Sequence, residues 1–450
     1  YVLHIITALR KHVHLPNFDH EAFVSILEYA VDREADAAAG AFDSGNSDEG
    51  PSWSNLLQIV AFGISDLLRA KTTPPTLRER LWAVLEVVLR DPDPSTEADA
   101  KYDLHSSYGP PWQLALNSAR GAGMLAVFDY ARWVYAAAGG KSSNVELAAE
   151  APEVFVAIDV CLSAEQEPTR AVRSTIGTNF VSLFAMSKAW TRDNVDRIFS
   201  PDRLGDAAWD SYLAHNAAYD ETFVVLVPRY TQAVGRLPVE EPPAGAWGAD
   251  VVGNLGIHLT TAYVRGHLSI NGTIVEDFFR SAPSSAIGTA LTSLGNALAT
   301  ERDALPKSIA ERCQAIYDFI LSIIVERPED TRLAALGGFG IWFQSTQLPD
   351  EWLLDRLLLT LKRTKGKIAW EGRVLERLAD LSMAHPREAV EALRDLTFGS
   401  PSNLFLTEDS IEEIVKNAVQ SGGQARQIAV RTNDRIVNNM GILRFNALFG

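Results

Sequence analysis

With 450 residues, 47% of them hydrophobic, the chain has apolar material for two or three globular units or one extended array, which excludes disorder of the whole. Its 41 Lys and Arg against 57 Asp and Glu give a formal charge of -16, which opposes non-specific attraction to nucleic acid or anionic lipid and leaves room only for a local basic groove. Cys161 and Cys313 lie far apart in apolar helical patterns, so neither a disulfide framework nor a zinc cluster is expected.

Apolar residues recur three or four apart along the chain and almost nowhere alternate with the period of two that a half-buried strand requires. Val2, Ile5, Ile6 and Leu9 follow this spacing directly after Tyr1 with no capping residue in front, so the chain is expected to be a piece of something longer. From Ala38 to Ser52, Gly, Asp and Ser accumulate, periodicity ends, and a mobile loop is expected. Asp91 to Pro111 begins DPDPSTEADA and ends SSYGPP; its prolines bar helix continuation and it reads as a linker.

Asn117 or Ser118 is expected to cap a helix running to Ala138. Arg120 then falls in the first turn, where a cation opposes the helix dipole unless a carboxylate or carbonyl holds it. Gly121 and Gly123, each costing up to about 1 kcal/mol inside a helix, point to the close approach of another helix. Leu237 to Asp250, with Pro238, Pro242 and Pro243, is expected to be the main division of the chain.

Further on, Ile309, Cys313, Ile316, Tyr317, Ile320 and Ile324 line one helical face while Glu311, Arg312 and Asp318 occupy the other. Asp350 is placed to cap a helix whose Leu353, Leu354, Leu357, Leu358 and Leu361 face inward. Lys362, Arg363 and Lys365 suit its negative end, Gly366 stops it, and Pro386 suits the first turn of the next. The expected architecture is an all-α, HEAT-like or irregular α-solenoid. It has helical segments at 1–90 (with the loop 38–52), 112–236 and 251–450, and linkers at 91–111 and 237–250. Helix-pair units recur at roughly 35 to 50 residues without a strict repeat.

Catalytic patterns are missing from this reading. Gly140-Lys141-Ser142 has the tail of a phosphate loop, but Tyr135 stands where a Gly is required and the residues before it are helical. His12, His14, Asp19 and His20 crowd together without an HExxH or CxxC partner and are read as surface residues at a helix end. His258 and His267 are nine apart on one helix, which puts them on different faces, and no GxSxG occurs. No catalytic residue, metal ligand or cofactor is therefore assigned. Most of the ten tryptophans fall in helices, where they fill gaps between helices of unequal spacing or line a partner-binding face. The candidates for structural or partner contact are Arg120, Trp133, Trp209, Tyr212, Arg265, Trp342 and Trp352.

Several of these fall in ordered blocks. Asn117-Ser118-Ala119-Arg120-Gly121 leads to Met124, Ala126, Val127, Tyr130, Ala131 and Trp133. Ala208-Trp209 through Leu213 with Asn216 is followed by Pro228-Arg229-Tyr230, and Leu255-Gly256-Ile257-His258-Leu259 with Tyr263, Arg265 and Gly266 by Phe278-Phe279. Gly340-Ile341-Trp342-Phe343 with Trp352 precedes Val374, Leu378, His385-Pro386 and Ala389-Val390. Together they resemble the C-terminal helical-repeat region of large bacterial signal-transducing (STAND-like) NTPases associated with antiphage defence. Ile257 departs from the pattern, where Glu is expected, as does the Gly338–Ile341 run, where it is more aromatic.

The resemblance implies a cytoplasmic, non-catalytic recognition module that binds a protein trigger or its own upstream NTPase core, with no membrane and no nucleic-acid partner favoured. The alternatives are an α-helical enzyme with an unrecognised polar pocket and a passive oligomerisation scaffold.

Overall fold

A computed structural model of the chain describes residues 1–32, 52–140, 145–237, 247–326, 330–399, 407–440 and 444–449. Among these, every regular element is a helix and there is no strand, as the three-to-four spacing requires. No described helix is long and apolar enough to cross a membrane. The loop expected at 38–52 lies outside the described residues except for Ser52, which caps the helix Trp53–Arg69 by accepting the Asn55 N–H at 3.1 Å. The centre of the 237–250 segment lies outside them too.

The chain forms two compact units, Tyr1–Leu226 with Ala246–Gly248, and Val227–Gly245 with Ala249–Gly450. Their boundary falls inside the helix Asp220–Val234, beside its internal Pro228, where a ring without an N–H already interrupts the helical hydrogen bonds. It therefore lies upstream of the proline-rich 237–250 segment expected from sequence.

In the first unit an inner row of long helices packs side by side. Trp53–Arg69 lies on Ala119–Ala137, which lies on Arg170–Met186, which lies on Arg203–His215. Gly177 sets the closeness of this row, and Gly121 the closeness with which the short helix Pro111–Leu116 packs on it. A Cβ on Gly121 would sit 2.3 Å from the Ala115 carbonyl oxygen and one on Gly177 1.9 Å from that of Ala208. On this row rest outer helices, His20–Val31 and Arg78–Leu89 touching one another and Pro152–Leu162 further along.

The 91–111 segment is stitched to the inner row. Asp93 Oδ2 accepts the Ala119 N–H at 2.8 Å, and Asp99 Oδ1 accepts the Ala171 N–H at 2.8 Å, so two core helices take their N-terminal caps from it. Arg170 returns the contact, donating to Asp99 Oδ2 at 3.1 Å and to the Asp99 and Tyr102 carbonyls at 2.6 Å each. Neither expected cap serves: Asn117 donates its side-chain amide to the Gln113 carbonyl at 2.9 Å, and Ser118 is buried, makes no capping bond, and its hydroxyl has no partner among the described residues.

Arg173 is 2% exposed and is held by carbonyls at two helix C-terminal ends, Cys161 at 3.0 Å and Arg197 at 3.0 Å. Burial lowers its pKa below the ordinary arginine value, against the pull of Asp202.

In the second unit the last helices stack in two layers. Asp350–Thr364, Pro386–Gly399 and Gly423–Met440 pack in one row, Glu371–Leu381 and Glu408–Ser421 in the other. The leucine stripe of Asp350–Thr364 is buried as expected at Leu353, Leu354, Leu357 and Leu361. Its N-cap is Pro349, however: Asp350 is the first helical residue and accepts from Arg377 Nη2 at 2.7 Å instead. Lys307–Glu326 buries Cys313, Ile316, Tyr317, Ile320 and Ile324. Tyr317 is the hub of an aromatic core, its ring centroid 4.4 Å from Phe339, 5.3 Å from Trp342 and 5.8 Å from Trp352, with its hydroxyl 2.6 Å from Thr360 Oγ1.

Candidate functional site

In the first unit, Arg78–Leu89 and Pro152–Leu162 both rest on the inner-row helix Ala119–Ala137, and between them runs a groove of about 650 Å³. Its walls are Trp82 and Leu89 on one side and Val156, Ala157 and Val160 on the other, with Met124 beneath. The sequence of Pro152–Leu162, PEVFVAIDVCL, explains why this wall is apolar. Val154, Phe155, Ile158 and Leu162 turn to the core, while Val156 and Val160, four apart on another face, stay 65% and 42% exposed.

Each end of the groove is closed by an arginine–glutamate stitch. At the N-terminal ends of the two outer helices, Arg78 donates to Glu153 Oε1 through Nη2 at 2.7 Å and to the Glu150 carbonyl at 2.6 Å. Tyr130, from the inner helix, donates its hydroxyl proton to the same carboxylate at 2.8 Å. Burial alone would push the Glu153 carboxyl up; bonds from Arg78, its own backbone N–H and Tyr130 outweigh that and hold it below its ordinary value. Burial and the hydrogen bond to Glu153 push the Tyr130 hydroxyl far up, so it stays a donor.

At the other end, Arg120 donates to Glu167 at 2.6 Å and 3.2 Å and to the Asp91 and Pro94 carbonyls at 2.7 Å and 2.9 Å. Glu167, its side chain 3% exposed, also accepts from the Thr169 N–H at 3.1 Å and from the Thr169 hydroxyl. The cation near a helix start is thus held by a carboxylate and two carbonyls.

The ionisable groups along these walls already have partners. Cys161, the nearest nucleophile, is 5% exposed, and burial with the Glu167 charge beside it pushes its thiol up to about 12, leaving it protonated at neutral pH. Among the described residues no three of His, Cys, Asp and Glu gather in a way that could hold a metal ion. The groove offers apolar surface with a sparse polar rim, in which Trp82 Nε1 donates to Glu86 at 2.9 Å and Gln166 and Arg90 stand exposed. Such a surface can take up an apolar stripe of another chain.

The sequence candidates distribute differently. Trp209 is 3% exposed and Tyr212 fully buried, together at 5.4 Å within an aromatic core that includes Phe180 and Phe199. Trp342 is fully buried, donating its indole N–H to the Leu291 carbonyl at 2.7 Å. Burial puts these three out of a partner's reach and leaves them as packing residues. Trp133 is half-buried and donates to the Thr73 carbonyl at 3.2 Å, and Trp352 is half-buried against Tyr317 with Arg356 over its ring. Arg265 is exposed. Of the set, Arg120 alone lines the groove.

Sequence reasoning missed Trp82, Glu153, Val156, Val160 and Glu167. One signal was available: a short helix apolar on more than one face, with a valine pair at i and i+4 beyond its core stripe. His258, left unassigned, is 2% exposed and its Nδ1 lies 2.7 Å from the Tyr230 hydroxyl. The phosphate-loop look-alike is the end of the helix Ala119–Ala137, followed by Gly139 and Gly140 at φ +100° and +57°; Lys141 and Ser142 lie outside the described residues.

A scan against protein-family models finds no match to this chain, and a search of curated proteins finds no significant relative.

Proposed function

We propose that this chain is a helical recognition module that binds a protein partner, and that the groove between Arg78–Leu89 and Pro152–Leu162 is where an apolar helix of that partner lies. The observation that carries the reading is the exposed pair Val156 and Val160 facing Trp82 and Leu89 across a gap in the outer helices. Each valine buried on binding contributes up to about 1.5 kcal/mol, and the stitches Arg78–Glu153 and Arg120–Glu167 keep the gap preformed, which lowers the ordering cost of association.

The ordered sequence blocks that resemble the C-terminal region of signal-transducing NTPases support placing this module in a bacterial, cytoplasmic antiphage-defence protein. Its partner is then a phage-encoded trigger or the protein's own nucleotide-binding core. The full product of the encoding gene, expressed in a phage-sensitive host, is expected to reduce plaque formation. Val156→Glu with Val160→Glu is expected to abolish that protection while protein levels hold. Protection unaffected by the double variant would overturn the assignment of the groove, and no protection by the full product would overturn the defence role.

A further inference from the structure

In the second unit a different pocket, of about 620 Å³, lies where the turn Leu336–Gly338 meets the segment that links Asp350–Thr364 to Glu371–Leu381. That segment reads KRTKGKIAWEGR from Lys362 to Arg373, placing Lys362, Arg363, Lys365, Lys367 and Arg373 close together in a chain of net charge -16. The one carboxylate within it, Glu371, is 9% exposed and also lines the pocket. Arg363, Lys365 and Lys367 line the pocket, and all three are exposed. Lys362, Arg363 and Lys367 make no ion pair among the described residues.

The favourable end of a helix dipole accounts for Lys362 and Arg363, which sit in the last turn of Asp350–Thr364. It does not account for Lys367, which lies past the helix end, or for Trp370 beside it. Trp370 is 50% exposed and holds φ +65°, ψ +32°, left-handed backbone that a tryptophan rarely adopts. Burial does not explain that conformation. The neighbouring geometry fixes it: the Ala369 N–H donates to the Gly337 carbonyl at 2.9 Å, and a Cβ on Gly340 would stand 1.8 Å from the Ala369 carbonyl oxygen, so only glycine lets the segment approach this closely. The outcome is a half-exposed aromatic side chain next in sequence to Ala369 and Glu371, which line the cation-bearing pocket, with the Arg373 guanidinium 5.6 Å from its ring centroid.

From this juxtaposition we infer that the pocket binds a small organic phosphate carrying a planar ring, of the nucleotide class: Arg363 and Lys367 take the phosphates, and the ring stacks on Trp370. The volume suits a ligand of that size, and small residues, Gly288, Gly337, Gly338 and Ala335, line the pocket together with Thr292. This site is independent of the groove in the first unit.

Isothermal titration of the chain at low salt with magnesium-free ATP, with tripolyphosphate and with a short oligothymidylate tests the inference. Saturable one-to-one binding of ATP is expected, about tenfold tighter than tripolyphosphate because of the stacked ring. In Arg363→Glu with Lys367→Glu both affinities are expected to fall at least about tenfold, since two phosphate contacts are reversed in sign. Trp370→Gly relieves the left-handed strain, so its melting temperature should hold or rise, while the preference for ATP over tripolyphosphate disappears. Absence of saturable ATP binding, affinity unchanged in the charge-reversed variant, or oligonucleotide binding that ATP does not displace would each overturn it.

Discussion

Asp93 Oδ2 accepts the backbone N–H of Ala119 at 2.8 Å, so the helix Ala119–Ala137, on which the groove is built, is capped by a carboxylate from 26 residues earlier. The hydroxyl of Ser118, next to that helix start in sequence, is buried without a partner. Asp93→Ala is therefore expected to destabilise the first unit by about 1–2 kcal/mol, the loss of an N-cap, while Ser118→Ala is neutral or slightly stabilising because it removes an unsatisfied buried hydroxyl. Urea denaturation of the two variants checks this. The reverse order would mean that the cap is local.

Acid stability separates two carboxylates of opposite sign. Glu153 has its pKa lowered from 4.5 in the folded chain, so the stability it contributes is present above about pH 4.5 and is lost as pH falls through its folded value. Asp93 has its pKa raised from 3.8, by burial first and by Asp91 in addition, so its contribution is present below pH 3.8 and is lost as pH rises through the raised value. Glu153→Gln is expected to flatten the loss of stability on acidification, and Asp93→Asn to remove a decline on the rising side of pH 3.8. Denaturation midpoints measured from pH 3 to pH 7 read both slopes.

Close approach to the inner-row helices is graded by what each glycine faces. Gly177→Ala drives a Cβ to 1.9 Å from the Ala208 carbonyl oxygen, a backbone atom that cannot step aside, and is expected to cost more than about 2 kcal/mol. Gly123→Ala meets Val88 Cγ1 at 2.9 Å, the end of a side chain, and the helix propensity gained offsets part of the clash, so its cost is expected to stay below about 1 kcal/mol. Thermal unfolding of the pair compares them directly.

Both thiols are buried, and burial pushes each up to about 12. At pH 8 neither Cys161 nor Cys313 is expected to react with a thiol reagent over the time in which an exposed thiol is consumed, and both are expected to react once the chain is unfolded. Rapid labelling of Cys161 in the folded chain would show that the groove opens to its floor.

The all-helical class was legible because helical spacing is a property of each segment alone: the stripe from Cys313 to Ile324 and the leucines of Asp350–Thr364 needed no tertiary information. The expected caps were not: Asp350 is the first helical residue behind Pro349, and at Ala119 the distant carboxylate of Asp93 serves in place of Asn117 or Ser118. Prolines and acidic residues in 91–111 suggested a linker, but the same aspartates pin that segment to two core helices.

Large aromatics drew the eye as contact residues, and Trp209, Tyr212 and Trp342 are in the core. The groove is built from Val156 and Val160, whose exposure follows from which outer helices fail to meet, something no local pattern encodes.

Whether the groove holds a partner is read most directly by placing a photo-crosslinking amino acid at Val156 in the full gene product in cells, with Met383, 83% exposed in the second unit, as the control position. Irradiation is expected to give a discrete adduct from Val156, to a phage protein during infection or to another part of the same polypeptide at rest, that the control position does not give and that Val160→Glu removes. No adduct at Val156, or the same adducts at both positions, would contradict a protein-binding role for the groove.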